Sequence, residues 1–169
     1  MSKGYIANNA FMGLLCGIWA GIATPLGLAI WVGFAGCTAF YATGKHHWEG
    51  FRLTLATTMV GVLMGLSMAW IGDNVLSFLS SNWATGISIG FVCAVIGWLG
   101  AIKLLAFVPG MFVGAYTYFG MNGDWKTQAL SLIAGVILGW ACDTGGNWIQ
   151  AKLTPEKAAA PQQDIKQTG

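Results

Sequence analysis

The sequence predicts an all-α integral membrane protein: six short transmembrane helices arranged as two inverted three-helix repeats. Three observations lead there. The chain is 56% hydrophobic and only 8% charged, with a mean hydropathy of +0.64, whereas a water-soluble domain carries roughly 25% charged residues. Its apolar stretches are long enough to enter a bilayer. One motif is also written twice, since residues 34–44, FAGCTAFYATG, match residues 112–122, FVGAYTYFGMN, without a gap. Phe34 falls on Phe112, Gly36 on Gly114, and Phe40-Tyr41 on Tyr118-Phe119. Dropping one loop residue aligns Trp48 with Trp125 and Leu53-Thr54-Leu55 with Leu130-Ser131-Leu132, and Cys16 and Cys93 lie 18 and 19 residues ahead of Phe34 and Phe112. Two copies of a unit with an odd number of spans must point in opposite directions, as in many channels and transporters.

Residues 8–44 form one apolar run too long for a single helix. Pro25, between Thr24 and Gly27, breaks it, because proline lacks an amide hydrogen and disfavours helix in the residue before it. This predicts helices over 6–23 and 25–43. A third spans 51–71, from Phe51-Arg52 to the stop at Gly72-Asp73-Asn74, and completes a first repeat over residues 1–72. Residues 73–83 read as an interfacial linker. The second repeat, residues 84–153, has runs over 84–102, 104–120 and 127–149, separated by Lys103 and by the turn Asn122-Gly123-Asp124. Pro109-Gly110 should break or kink the fifth run near its start. From 154 to 169 the composition cannot bury enough apolar surface to fold, which predicts a disordered cytoplasmic tail. Helices of 17–19 residues fall just short of a hydrocarbon core about 30 Å thick. The alternative makes the run at Pro25 or at Pro109-Gly110 re-entrant, which is tolerated only inside protein or beside a wet cavity.

A cytoplasmic N-terminus places Lys3, Lys45, Arg52, Lys103, Lys152, Lys157 and Lys166 inside and only Lys126 outside. That split follows the positive-inside rule and puts both termini in the cytoplasm. The net charge of +2 and the lack of a basic stripe argue against nucleic acid. Cys16, Cys37, Cys93 and Cys142 lie singly in apolar runs and read as packing residues. No nucleophile or cofactor motif supports an enzyme, and no cofactor or metal is expected. His46-His47 reads as a solvated loop pair.

Glycines recur every four residues at Gly13-Gly17-Gly21, Gly61-Gly65, Gly86-Gly90 and Gly135-Gly139. Such spacing lets helices approach closely in lipid, within the bundle or between copies in a homo-oligomer. The repeated motif supplies the candidate pore or repeat-interface residues: Phe34, Gly36, Thr38 and Phe40 in the first copy, and Phe112, Gly114, Tyr116, Thr117 and Tyr118 in the second, with Pro109 and Gly110 ahead of it. Hydroxyls on Thr38, Tyr116 and Thr117 could line a narrow path between the halves. Gly36 and Gly114, as equivalent positions, are expected to be buried and to approach each other near the two-fold axis. Asp143, Lys103 and Arg52 are the charges closest to the apolar runs and read as polar residues near helix ends.

The stretches VGFAGCTAFYATG and LLAFVPGMFVGAYTYFGMNGDWKTQALSLIAGVILGW resemble the YcdZ-like family of bacterial inner-membrane proteins over residues 12–152. Phe107 to Ala115, together with Gly123-Asp124-Trp125-Lys126, carries the likeness most specifically. The resemblance implies a small multi-pass protein of the bacterial inner membrane and brings no functional residues with it. The leading function is a channel or facilitator for a small neutral or weakly polar solute, working as an oligomer in the lipid bilayer. The alternative is a non-transporting scaffold or regulator of a partner protein.

The charge split generates a topology test. A cysteine at position 122 should react with an impermeant reagent added outside the cell, and one at position 46 should not. Labelling of both from one side would contradict the inverted arrangement.

Overall fold

Every regular element in the computed structural model, which describes residues 2–153, is helical, and the tail expected over 154–169 lies outside the described residues. Six helices follow in order: α1 (Lys3–Ile22), α2 (Ile30–Ala42), α3 (His47–Trp70), α4 (Ser81–Leu99), α5 (Val108–Gly120) and α6 (Trp125–Leu153). They are not of similar length, as the sequence suggested. α1, α4, α6 and α3 with its continuation to Val75 are long and apolar enough to cross a membrane. α2 and α5 have 13 residues each, or about 20 Å at 1.5 Å per residue.

Local chemistry explains the two short helices. After α1 the chain turns through Thr24-Pro25-Leu26-Gly27, with Gly27 at φ +71°. Pro25 therefore sits in a turn, and helix resumes only at Ile30. There the Ala29 amide donates to Ser131 Oγ at 2.9 Å, and the Trp19 indole donates to the Ile30 carbonyl at 3.0 Å. Ahead of α5, Lys103–Leu105 form a single tight turn. Pro109 then occupies the first turn of α5, where its missing amide costs nothing, so it starts the helix without kinking it. At the far end of α3, residues Ile71–Val75 widen into a π-turn, which takes up the start of the expected linker. Asp124 caps α6 by accepting from the Thr127 amide at 3.1 Å. The Thr127 hydroxyl and amide hold this exposed carboxyl below the usual carboxylate range.

The packing is interleaved between the halves. α2 lies chiefly on α6, and α5 on α3, more than either lies on its sequence neighbour; α1 rests on α6 and α4 on α3. Glycine sets the closest approaches. A Cβ on Gly61 would strike the Met111 carbonyl, and one on Gly135 would strike that of Gly33. Gly65 faces Tyr118 and Ala115, as Gly139 faces Phe40 and Cys37. Gly33 and Met111, Cys37 and Ala115, and Phe40 and Tyr118 all stand 78 residues apart, whereas Gly61 and Gly135, and Gly65 and Gly139, stand 74 apart. The same contacts are therefore made twice.

Two details differ from the sequence reading. Gly36 and Gly114 are buried, yet their nearest neighbours are not each other: Gly36 packs on Leu132 and Val136 of α6, and Gly114 on Thr58 and Val62 of α3. The long helices of the opposite half supply the partner surfaces. Packing also pairs α3 with α6 three residues away from the alignment of Trp48 with Trp125. The first half carries about one extra helical turn between its motif and the Gly61 contact.

Replacing Gly61 or Gly135 with Ala should destabilise the protein by about 1–3 kcal/mol, because backbone on the facing helix must move. At Gly13 or Gly90 an added Cβ meets nothing within 4 Å, and the same change should be neutral or slightly stabilising. Unfolding in detergent micelles measures both, and equal losses at all four sites would contradict this packing.

Candidate functional site

Polar groups gather in three places, two of them inside the bundle and one in a cleft at its surface. The first is mid-bundle, where Thr54, Thr57, Thr58, Thr117, Gln128 and Ser131 are all fully buried. The threonine and serine hydroxyls donate back to carbonyls of their own helices, as in Thr54 Oγ1 to Gly50 at 2.7 Å and Ser131 Oγ to Thr127 at 2.7 Å. This satisfies them in a dry interior. Gln128 reaches across to α5, donating to the Gly114 carbonyl at 2.6 Å and to Thr117 Oγ1 at 2.8 Å. Its Oε1 is buried without a hydrogen-bond partner among the described residues. Thr54 and Gln128, like Thr57 and Ser131, stand 74 residues apart, so both halves bury polar side chains at matching levels.

The repeated motif divides by face, because residues two apart on a helix point about 200° apart. Gly36, Phe40 and Gly114 are buried and Tyr118 is half-buried, all toward the partner helix. Phe34 is half-buried, whereas Thr38, Phe112 and Tyr116 are exposed on the outside of the bundle. Of the three hydroxyls expected along a path, only Thr117 lies inside. Gly110 packs on the Thr57 side chain and Pro109 is exposed.

The second place is centred on Asp143, whose side chain is 3% exposed. It does not lie at a helix end, since α6 continues to Leu153. One carboxylate oxygen sits 2.7 Å from His46 Nδ1 and accepts from the Asn147 amide at 2.9 Å; the other accepts from the His47 amide at 2.9 Å. His46 and His47 are therefore not a free solvated pair, although their rings stay mostly exposed. The cluster ties the loop between α2 and α3 to α6. Beside it, Asn8 of α1 donates to Gln150 at 3.0 Å and packs on Gly146. The one hint in the sequence was Asp143 itself, a carboxylate within an apolar run; its histidine partners lie about a hundred residues away. Lys103 and Arg52 are exposed, and the cluster's hydrogen bonds and ion pairs are made by other residues. No group of three or more His, Cys, Asp or Glu among the described residues is placed to hold a metal ion.

The third place is a cleft at the other end of the bundle, where the π-turn meets the start of α4. Two adjoining cavities of about 230 and 260 Å³ share Gly72, Asp73 and Thr85 in their walls. Met68, Ala69, Ser88, Ile89 and Phe119 complete one, and Ser77, Leu79, Ser81 and Ala84 the other. Exposed Trp70, Phe78 and Trp83 surround this end, as aromatic side chains do at a membrane interface.

Residues 11–147 match the family model described as "Protein of unknown function (DUF1097)". Over 156 residues, 91% of each chain, the sequence is 36% identical to Inner membrane protein YcdZ of Escherichia coli strain K12. It is 35% identical over 148 residues to Inner membrane protein YcdZ of Salmonella typhimurium strain LT2, covering 86% of this chain and 89% of that one. It is also 29% identical over 162 residues to Uncharacterized protein YahC of Escherichia coli strain K12, covering 90% and 96%. No solved structure matches significantly.

The Asp143 cluster carries its own test. Asp143→Ala strands the His47 and Asn147 donors and should cost about 1–3 kcal/mol of stability. His46→Ala should cost less, since its ring is mostly exposed. Unfolding of the two single variants and the double variant should show a coupling of about 0.5 kcal/mol or more; strictly additive losses would mean the pair does not act together.

Proposed function

The chain belongs to the DUF1097 family, whose relatives above include inner membrane proteins, and from that premise we propose that it is a facilitator for a small neutral or weakly polar solute, built from two inverted halves. The repeated contact set carries this reading. α2 runs parallel to α6, since Gly33 meets Gly135 and Phe40 meets Gly139; α5 runs parallel to α3, since Met111 meets Gly61 and Tyr118 meets Gly65. The four-residue turn between α2 and α3 reverses direction, so α2 and α5 point opposite ways although they carry the same motif. Two short helices in corresponding positions, α2 after the turn at Pro25 and α5 with Pro109 in its first turn, are the arrangement that marks solute sites in inverted-repeat transporters.

In this reading all six helices lie in the bilayer, both termini face the cytoplasm, and the protein is neither an enzyme nor dependent on a cofactor. The glycine seams pack backbone on backbone and leave no width for a solute. A route therefore runs beside them, through the cleft at Asp73 or between copies. The open glycine faces of α1 and α4, where added Cβ atoms at Gly13, Gly17, Gly21, Gly86 and Gly90 meet nothing, support a homo-oligomer. These same faces also favour the second reading, a scaffold that binds another membrane protein.

Purified protein in liposomes should raise permeability to at least one solute in a panel of small polyols, amides and amines. Asp73→Asn, in the wall of that cleft, should change the rate without loss of folded protein. Unchanged permeability across the panel, in vesicles shown to hold folded oligomer, would favour the scaffold.

A further inference from the structure

The cleft between the π-turn and α4 has the chemistry of a cation site. Its walls bring together one carboxylate, Asp73, with the hydroxyls of Ser77, Ser81, Thr85 and Ser88, and no basic side chain lines either cavity. Asp73 makes no hydrogen bond or ion pair with the described residues. Ser88 is buried and donates its hydrogen to the Thr85 carbonyl at 3.0 Å, so toward the cavity its oxygen can only accept. The π-turn sits at the C-terminal end of α3, where the helix dipole is negative and the last carbonyls lack helical donors.

The cleft's counterpart at the opposite end of the bundle is filled. Gly72 and Gly146 stand 74 residues apart. Gly146 is closed over by the Asn8 side chain, whereas Gly72 has only Ser88 and Ala84 nearby, at 3.4 Å or more. Asn147, the counterpart of Asp73, is engaged by Asp143. The two halves thus make the same space twice, and one copy is left open with an unengaged carboxylate.

We propose that this cleft binds a primary ammonium group, carried by a small free amine or by the headgroup of an aminophospholipid. An ammonium offers three donors and a full positive charge, matching a carboxylate surrounded by acceptor oxygens. Each of the two cavities, at about 230 and 260 Å³, is smaller than the roughly 300–1,000 Å³ of drug-sized pockets, which suits an occupant of a few heavy atoms. The exposed Trp70 and Trp83 place the opening at headgroup level. The site does not depend on the transport reading, because binding alone tests it.

The experiment is calorimetric titration of ethanolammonium chloride into the full-length protein in nanodiscs of phosphatidylcholine alone. Saturable binding is expected, weakened about tenfold or more by Asp73→Asn, the share of one charge-assisted hydrogen bond, and unchanged by Glu49→Gln. Asp73 is exposed and unpartnered, so its variant should fold as the parent does. Repeating the titration with phosphatidylethanolamine in the disc separates the sources: a weaker apparent affinity assigns the site to the headgroup, and an unchanged one to the free amine. Absence of saturable binding by the parent protein, or equal binding by Asp73→Asn, overturns the proposal.

Discussion

Backbone contact through glycine is the constraint on which this structure depends. Lipid tails are as apolar as leucine, so burial from water cannot hold helices together inside a bilayer, and close van der Waals packing must do it. Gly61 and Gly135 let the short helices α5 and α2 lie against the middles of α3 and α6, close enough that a single methyl would meet a facing carbonyl. Because each short helix is captured by the long helix of the other half, neither half has a complete core of its own. Val32 of α2, Val62 of α3 and Leu132 of α6 form one apolar cluster across this junction, while Met68, Val92, Ile96, Met111 and Ala115 join α3, α4 and α5.

From that arrangement the placement of polar groups follows. The seams are too tight for water, so Thr54, Thr57, Thr58 and Ser131 satisfy their hydroxyls on their own helices. Only beyond the ends of the short helices do α3 and α6 extend free of them, and there the structure has room for polar side chains. At one such end Asp143, His46, Asn147 and Asn8 fill the space; at the other, Asp73 and its neighbouring hydroxyls leave it open. The glycine contacts match between the two halves, whereas the side chains at the two ends differ.

Much of this was legible in the residues. The apolar runs and their punctuation predict six helices, and the twice-written motif picks out α2 and α5. Four things were hidden, each for a physical reason. Pro25 was read as the start of a helix, but Gly27 at positive φ and the Ser131 hydrogen bond to Ala29 carry the turn five residues further. The register of α3 against α6 escaped because Trp48 and Trp125 mark where helices begin at the interface, whereas Gly61 and Gly135 mark where they touch. The Asp143 cluster joins residues almost a hundred positions apart, a pairing that no local spacing encodes. The face assignment within the motif needed the partner helix, which decides that Gly36 and Gly114 turn inward and Thr38 and Tyr116 outward.

The central claim is that the same backbone contacts occur once in each half, at positions related across the chain. Magic-angle-spinning NMR of the protein in lipid bilayers, with glycine and methionine labelled, tests it most directly. The account predicts through-space cross-peaks between Gly61 and Met111 and between Gly135 and Gly33, both present in one sample. Finding either glycine in contact only with helices of its own half would contradict it.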